Sequence, residues 1–171
     1  MNKRTFITAL ILVVTALTFT VSAKKEINYL KGDKSFLKEK ITATIQFDWS
    51  ETTWDSKMPL QEQLTTDYDN NVRSAESAFI EEFNKIPGVQ LTTQDSNEGY
   101  TAVFKVTNMD GHMGVGFKIG WETVVWGNFS IYKNGELVFE SAITEFEGPK
   151  DLSRDDSITK VFKKLASKIK K

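Results

Sequence analysis

Cysteine is absent from this 171-residue chain, and histidine occurs once, at position 112. Without a thiol there is no disulfide, no thiol nucleophile, no iron–sulfur ligation and no thiolate zinc site. There is likewise no lipobox cysteine to carry an acyl anchor. A catalytic triad or histidine metal site would have to use His112, yet neither a Gly-x-Ser-x-Gly elbow nor a His-Glu-x-x-His helix accompanies it. His112 reads as a solvated loop residue. No cofactor and no metal are expected. A long apolar run is missing too: the longest, Phe6 to Phe19, has 14 residues, against the roughly 20 needed to span a bilayer as a helix.

That short run is informative in its setting. Asn2, Lys3 and Arg4 precede it, and Val21-Ser22-Ala23 closes it with small residues where a signal peptidase reads. Residues 1–23 are therefore expected to be a cleavable signal peptide, with a retained anchor as the alternative. Residues 24–171 are expected to form a single exported domain, periplasmic or secreted and not lipid-anchored. Removing the leader takes away Lys3 and Arg4 and leaves 20 basic against 23 acidic residues, a net charge of −3. That balance supplies no global attraction for nucleic acid. About 148 residues suffice to bury a core without disulfides.

Periodicity orders the elements. Ile41, Ala43, Ile45, Phe47 and Trp49 alternate with polar residues and predict a strand. Residues 50–67 fit no period and are long for a connection inside a compact domain. Val72, Ala75, Phe79, Phe83 and Ile86 recur at helical steps, and Pro87-Gly88 stops that helix. Short strands are predicted at 89–93 and 100–108. Two more, at 122–132 and 136–146, flank Asn134-Gly135, whose residues tolerate the positive φ of a tight hairpin. Ser153, with Asp156 three residues on, caps a final helix whose apolar stripe is Ile158, Val161, Phe162, Leu165, Ala166 and Ile169. The expected fold is α+β: a single mixed or antiparallel sheet of about five strands, order β-α-β-β-β-β-α, with two helices packed on one face.

Candidate sites are few. The glycine-rich stretch Gly111 to Gly120 lacks the following helix that a phosphate loop needs and reads as a bulged strand connection. Asp48, near the end of the first strand, and Asp55, Asp67 and Asp69 of the following segment would serve a glycoside hydrolase if paired at the right separation; solvation and capping are the simpler reading. Trp126 and Tyr132 share a parity opposite Val125, Phe129 and Ile131. If that second set faces the helices, Trp126 and Tyr132 lie on the other side of the sheet. Together with Trp54 they form a candidate surface for a sugar, peptide or protein partner, unless residues 50–67 fold over it and bury both indoles. The Lys-rich end, Lys163 to Lys171, is a candidate for contact with an anionic surface, or a solvated helix face. Asn128-Phe129-Ser130 matches a glycosylation sequon inside a predicted strand.

Two segments carry a resemblance. One is Gly32-Asp33-Lys34-Ser35-Phe36-Leu37-Lys38 leading into Ile45-Gln46-Phe47-Asp48-Trp49-Ser50. The other is Trp126-Gly127-Asn128-Phe129-Ser130-Ile131-Tyr132 with the Asn134-Gly135 hairpin and the closing Lys-rich helix. Together they resemble small secreted proteins of Bacteroidetes-type bacteria. The element order is more distantly similar to α/β domains of envelope proteins, such as the N-terminal domain of TolB and the periplasmic domain of curli secretion channels. These motifs are structural, so no functional residue carries over, and shared topology does not fix function. The leading expectation from the residues is an exported, non-enzymatic binding or assembly module of the cell envelope, with a protein or glycan partner. A hydrolase of glycans or envelope material using Asp48 is the alternative.

Overall fold

A computed structural model describes residues 26–114 and 119–171. The expected leader lies outside the described residues. Among the described residues eight strands form one mixed sheet: β1 (Ile27–Lys31), β2 (Thr42–Asp48), β3 (Thr53–Trp54), β4 (Met58–Pro59), β5 (Gln90–Thr92), β6 (Tyr100–Gly114), β7 (Gly120–Lys133) and β8 (Glu136–Glu147). Three α-helices accompany them: a single turn α1 (Leu60–Leu64), then α2 (Tyr68–Lys85) and α3 (Arg154–Lys170). The strand order is β1-β8-β7-β6-β2-β5, with β3 paired to β6 and β4 to β3.

The expectation of about five strands is thus too low. The five anticipated strands are β2, β5, β6, β7 and β8. The additional β3 and β4 are two residues long, below the reach of any alternation pattern, and β1 is an edge strand whose register slips between Tyr29 and Lys31. The sheet is mixed because β2 runs parallel to both β5 and β6, while β6, β7, β8 and β1 are antiparallel. Residues 50–67 are not a loop. They hold β3, β4 and α1, and β3 takes up parallel pairing on β6 at Asn108 and Met109 where β2 ends at Lys105.

Local chemistry explains the elements that the sequence announces. Asn134 (φ 50°) and Gly135 (φ 84°) make the hairpin between β7 and β8. The Ser153 hydroxyl accepts from the Asp156 amide at 3.4 Å and caps α3. The glycine-rich stretch continues β6 and opens β7, with Gly114 facing Gly120 across the ladder.

The long helices share one face of the sheet, held by phenylalanine. Phe79 of α2 lies 5.0 Å from Phe104 and 5.7 Å from Phe129, ring centre to ring centre, and Phe162 of α3 lies 5.7 Å from Phe104. All four are fully buried. The helices run side by side in the same direction. Asn71 of α2 donates to Asp155 near the start of α3, at 3.2 Å. At the other end, Lys170 reaches the last turn of α2.

Lys170 is the most unusual residue of the core. Its residue surface is 5% exposed, its Nζ donates to the Phe83 carbonyl at 2.9 Å and to the Val89 carbonyl, and it lies 4.4 Å from the centre of the Phe83 ring. Cation–ring attraction and the negative end of α2 favour the ammonium, but removal from water prevails and brings its pKa down to about 8. The neutral amine keeps two N–H groups, enough for both carbonyls. Lys170→Met is expected to lose about 1–3 kcal/mol in urea unfolding, because it removes the Nζ hydrogen bonds and leaves the two buried carbonyls with long contacts from the Ile86 amide (3.3 Å) and the Gln90 side chain (3.4 Å). Between about pH 8 and the ordinary lysine range the unfolded chain binds a proton that the folded one has released. The stability of wild type relative to Lys170→Met should therefore increase as pH is raised through that window. NMR titration of the Lys170 side chain should give a midpoint near the same pH.

Candidate functional site

The other face of the sheet carries no helix among the described residues. Its direction follows from register. Phe104–Phe129, Ala102–Ile131 and Val106–Gly127 are paired and point to the helices. The alternate pairs Thr101–Tyr132, Val103–Ser130 and Lys105–Asn128 point away, joined by Thr44, Gln46 and Asp48 of β2 and by Glu140 and Ala142 of β8. This face is polar, as a half-solvated antiparallel sheet should be.

Trp126 lies on this face between two β-bulges. On one side, β6 spends three residues, Val106 to Asn108, against Trp126 and Gly127, and Thr107 is the extra one. On the other, β8 advances from Phe146 to Ile143 while β7 advances only from Val125 to Gly127. Thr144 and Glu145 therefore stand opposite Trp126, with Glu145 at φ 50°. A non-glycine residue in the left-handed region inside a strand is a local strain that the surrounding ladder must hold. Bulges re-aim side chains and open the ladder. Here they border a shallow depression of about 450 Å³ lined by Trp126, Thr107, Asn108, Asp110, Glu145 and the Asp55-Ser56 turn. Gly127 permits the close approach of β6, since a Cβ there would run into the Lys105 carbonyl.

The β3–β4 turn closes one side. Asp55 and Ser56 adopt φ of 53° and 55°, and the Asn108 amide oxygen accepts from the Thr53 hydroxyl at 2.8 Å and the Ser56 amide at 2.9 Å. With its oxygen occupied by the turn, Asn108 has its amide nitrogen to offer. Asp55 is ion-paired with Lys57, whose pKa it raises. Asp110 accepts from the Gly111 amide at 2.7 Å. The depression thus combines one indole with carboxylates, an amide and two hydroxyls.

The four residues singled out from sequence separate. Trp54 does not join Trp126. It pairs with Met109 on the helix side, is 7% exposed, and its ring sits over Gly111, where an added Cβ would come within 2.8 Å of the indole. Neither anticipated arrangement holds: the 50–67 segment does not bury both indoles in a second core, and Trp54 is not on a surface. Trp126 and Tyr132 do share the open face, six residues apart on β7, or about 20 Å along a strand. Asp48 is on that face too, two strands away beside Lys105 (4.0 Å). It accepts from the Ser50 hydroxyl (2.6 Å) and amide (3.0 Å), which with Lys105 hold its pKa down. Among the other carboxylates named with it, Asp67 lies 4.0 Å from Arg154 at the start of the helices, and Asp69 is in the first turn of α2.

His112 is 59% exposed in its side chain and 3.7 Å from Glu122. Asn128 of the sequon is half-buried in the middle of β7. Among the described residues no group of His, Asp and Glu is placed to hold a metal ion, and no helix is long and apolar enough to cross a membrane. Asn108, Asp110 and Glu145 were not anticipated. Their signal is a break in alternation: the buried pairs Val106 and Met109, and Ile143 and Phe146, are three residues apart instead of two.

Comparison with known proteins leaves the chain without a shown family. No protein-family model and no curated protein matches it. Among solved structures it is similar to the PelC dodecamer from Paraburkholderia phytofirmans, with 18% identity over 82% of this chain and 96% of that one, TM-score 0.44. A point variant of the same PelC dodecamer gives 18% identity over 84% and 93%, TM-score 0.46. An uncharacterised protein gives 15% identity over 81% and 91%, TM-score 0.34.

The opposed positions of the two indoles make a stability test. Trp54→Ala is expected to cost about 3–5 kcal/mol in denaturant unfolding, as for a buried large aromatic. Trp126→Ala should cost about 1 kcal/mol or less.

Proposed function

We propose that this protein is a non-enzymatic binding and assembly module of the cell envelope or the secreted fraction, and that it holds a glycan chain on the open sheet face at Trp126. The observation that carries this reading is the half-exposed indole set between two bulges beside a carboxylate- and amide-lined depression. An indole face packs against the C–H face of a sugar ring, while neighbouring carboxylates and amides exchange hydrogen bonds with its hydroxyls. Tyr132, farther along the same strand, gives an extended chain a second aromatic contact. Of the rows between them, Asn128 with Lys105 is polar, while Ser130 is buried beside Val103; the polar row suits a ligand that runs along β7.

The hydrolase alternative draws no support from the site. Glycoside hydrolysis requires one carboxyl group kept protonated by a raised pKa. Asp48, the carboxylate that reading relies on, is instead held below the usual carboxylate range by the Ser50 hydroxyl and amide and by Lys105.

Affinity electrophoresis through gels containing neutral polysaccharides tests the proposal. Wild type should be retarded by at least one of them. Trp126→Ala should abolish the retardation and Tyr132→Ala should weaken it, with both variants folded by circular dichroism. Equal retardation of wild type and Trp126→Ala would sink the assignment of this face.

A further inference from the structure

A second feature lies on the helix side, away from Trp126. The outward face of α3 presents Lys160, Lys163, Lys164, Lys168 and Lys171, and with Lys34 of the β1–β2 connection they line a groove of about 700 Å³ in which Glu82 is the one acidic side chain among the described residues. Lys160, Lys164, Lys168 and Lys171 follow one another at steps of three and four residues, with Lys163 beside them, so their backbone positions recur every ~5–6 Å over about 16 Å of helix axis. Lys160 is held by Asp151, and Lys164 donates to the Glu147 carbonyl at 2.6 Å. Lys168 and Lys171 form no salt bridge among the described residues. Lys163 is exposed, with Glu81 as a distant charge partner. Lys34 lies over the Tyr29 ring at 5.7 Å. Four exposed lysines without a salt bridge among the described residues, Lys34, Lys163, Lys168 and Lys171, are thus gathered around this groove of a protein whose overall charge is negative.

We infer that this groove binds a linear acidic polysaccharide, a chain carrying one carboxylate per sugar or per few sugars. The choice follows from what lines it. There is no arginine, so no fork is available to grip one phosphate bidentately. There is no aromatic ring for nucleobases to stack on. None of the exposed large apolar residues, Leu30, Met58, Met113, Ile119 and Leu152, lies in it, so nothing there enters a bilayer. Point charges spaced along a concave wall match charges spaced along a flexible chain better than those on a flat lipid surface. The charges are separate from the proposed neutral-glycan site and act through screened attraction, so the two are separable by salt.

The test measures binding of the full chain to polygalacturonate, with dextran as the neutral control. Wild type should bind polygalacturonate and lose roughly ten-fold or more in affinity between 50 and 200 mM NaCl. The double variant Lys163→Glu/Lys168→Glu should lose at least about ten-fold at low salt with its melting temperature retained. The control Lys40→Glu/Lys133→Glu makes the same change in net charge away from the groove and should stay within about two-fold of wild type. Trp126→Ala should also bind as wild type does, so failure of the open-face reading and failure of this one are distinguishable. Equal losses in the groove and control variants, or salt-independent binding, would overturn the proposal. So would cosedimentation with vesicles containing phosphatidylglycerol as strong as binding to the polymer, since it would assign the groove to a membrane surface.

Discussion

The packing of phenylalanine rings between the sheet and the two long helices is the constraint on which the other features depend. Phe79, Phe83, Phe104, Phe129, Phe139 and Phe162 form one connected set of ring contacts, each ring within 6.3 Å of another. Large rings gain most from burial and from edge-to-face contact, and strands of period two can supply them to one side only. Once β6, β7 and β8 give their large apolar residues to the helices, the alternate positions must meet water. The polar face with Trp126 is the geometric complement of that core. The lysine groove follows likewise: α3 commits its Ile158–Ile169 stripe to the rings, and its other flank is left to charge.

Two bulges then decide what the open face can present. A regular ladder would continue the alternation through residue 107 and turn Met109 outward. With one extra residue on β6, Met109 stays in the core, 1% exposed, and Asn108 and Asp110 are delivered to the same side as Trp126. The bulge on β8 does the corresponding thing with Glu145 while keeping Phe146 buried. Core packing and site construction are thus satisfied by the same irregularity, and Gly127 makes room for it by letting the Lys105 carbonyl come close.

Much of this was legible in the chain, for reasons that vary by element. The α2 and α3 stripes, the Ser153 cap and the Asn134-Gly135 turn are local signals, complete within a few residues. The open side of β7 was legible because parity alone separates Trp126 and Tyr132 from Phe129 and Ile131. The β3–β4 hairpin was not: its strands are two residues each, and its turn uses Asp55-Ser56 in place of a glycine-bearing pair. Trp54 was misplaced with it, since only the parallel pairing of β3 to β6, a contact spanning more than fifty residues of sequence, puts that indole over Gly111. Lys170 was read as one more terminal lysine. Its burial depends on the parallel arrangement of α2 and α3, which brings the two C-terminal ends together.

That arrangement also bears on how the two polar surfaces relate. Lys170 and the groove lysines come from one short stretch of sequence, yet they answer to opposite demands. At position 170 the helix turns inward, and the ammonium is tolerated because two carbonyls and the Phe83 ring receive it. At 163, 168 and 171 the same helix faces out: Lys168 and Lys171 stand at its C-terminal end, where the helix dipole favours a cation, while at 163 a solvent-facing helix is equally well solvated by acids, amides or serine. Repulsion among like charges at these spacings is mildly destabilising; Asp151 and Asp156 relieve it at Lys160, Glu81 acts first on Lys85 and only secondarily on Lys163, and Glu82 lines the same groove. The helix dipole and these acids offset part of the repulsion within the fold, and a negatively charged chain lying in the groove would offset more of it. The open sheet face and the groove therefore stand on opposite sides of one ring-packed core, the first suited to uncharged hydroxyl-rich ligands and the second to negative ones.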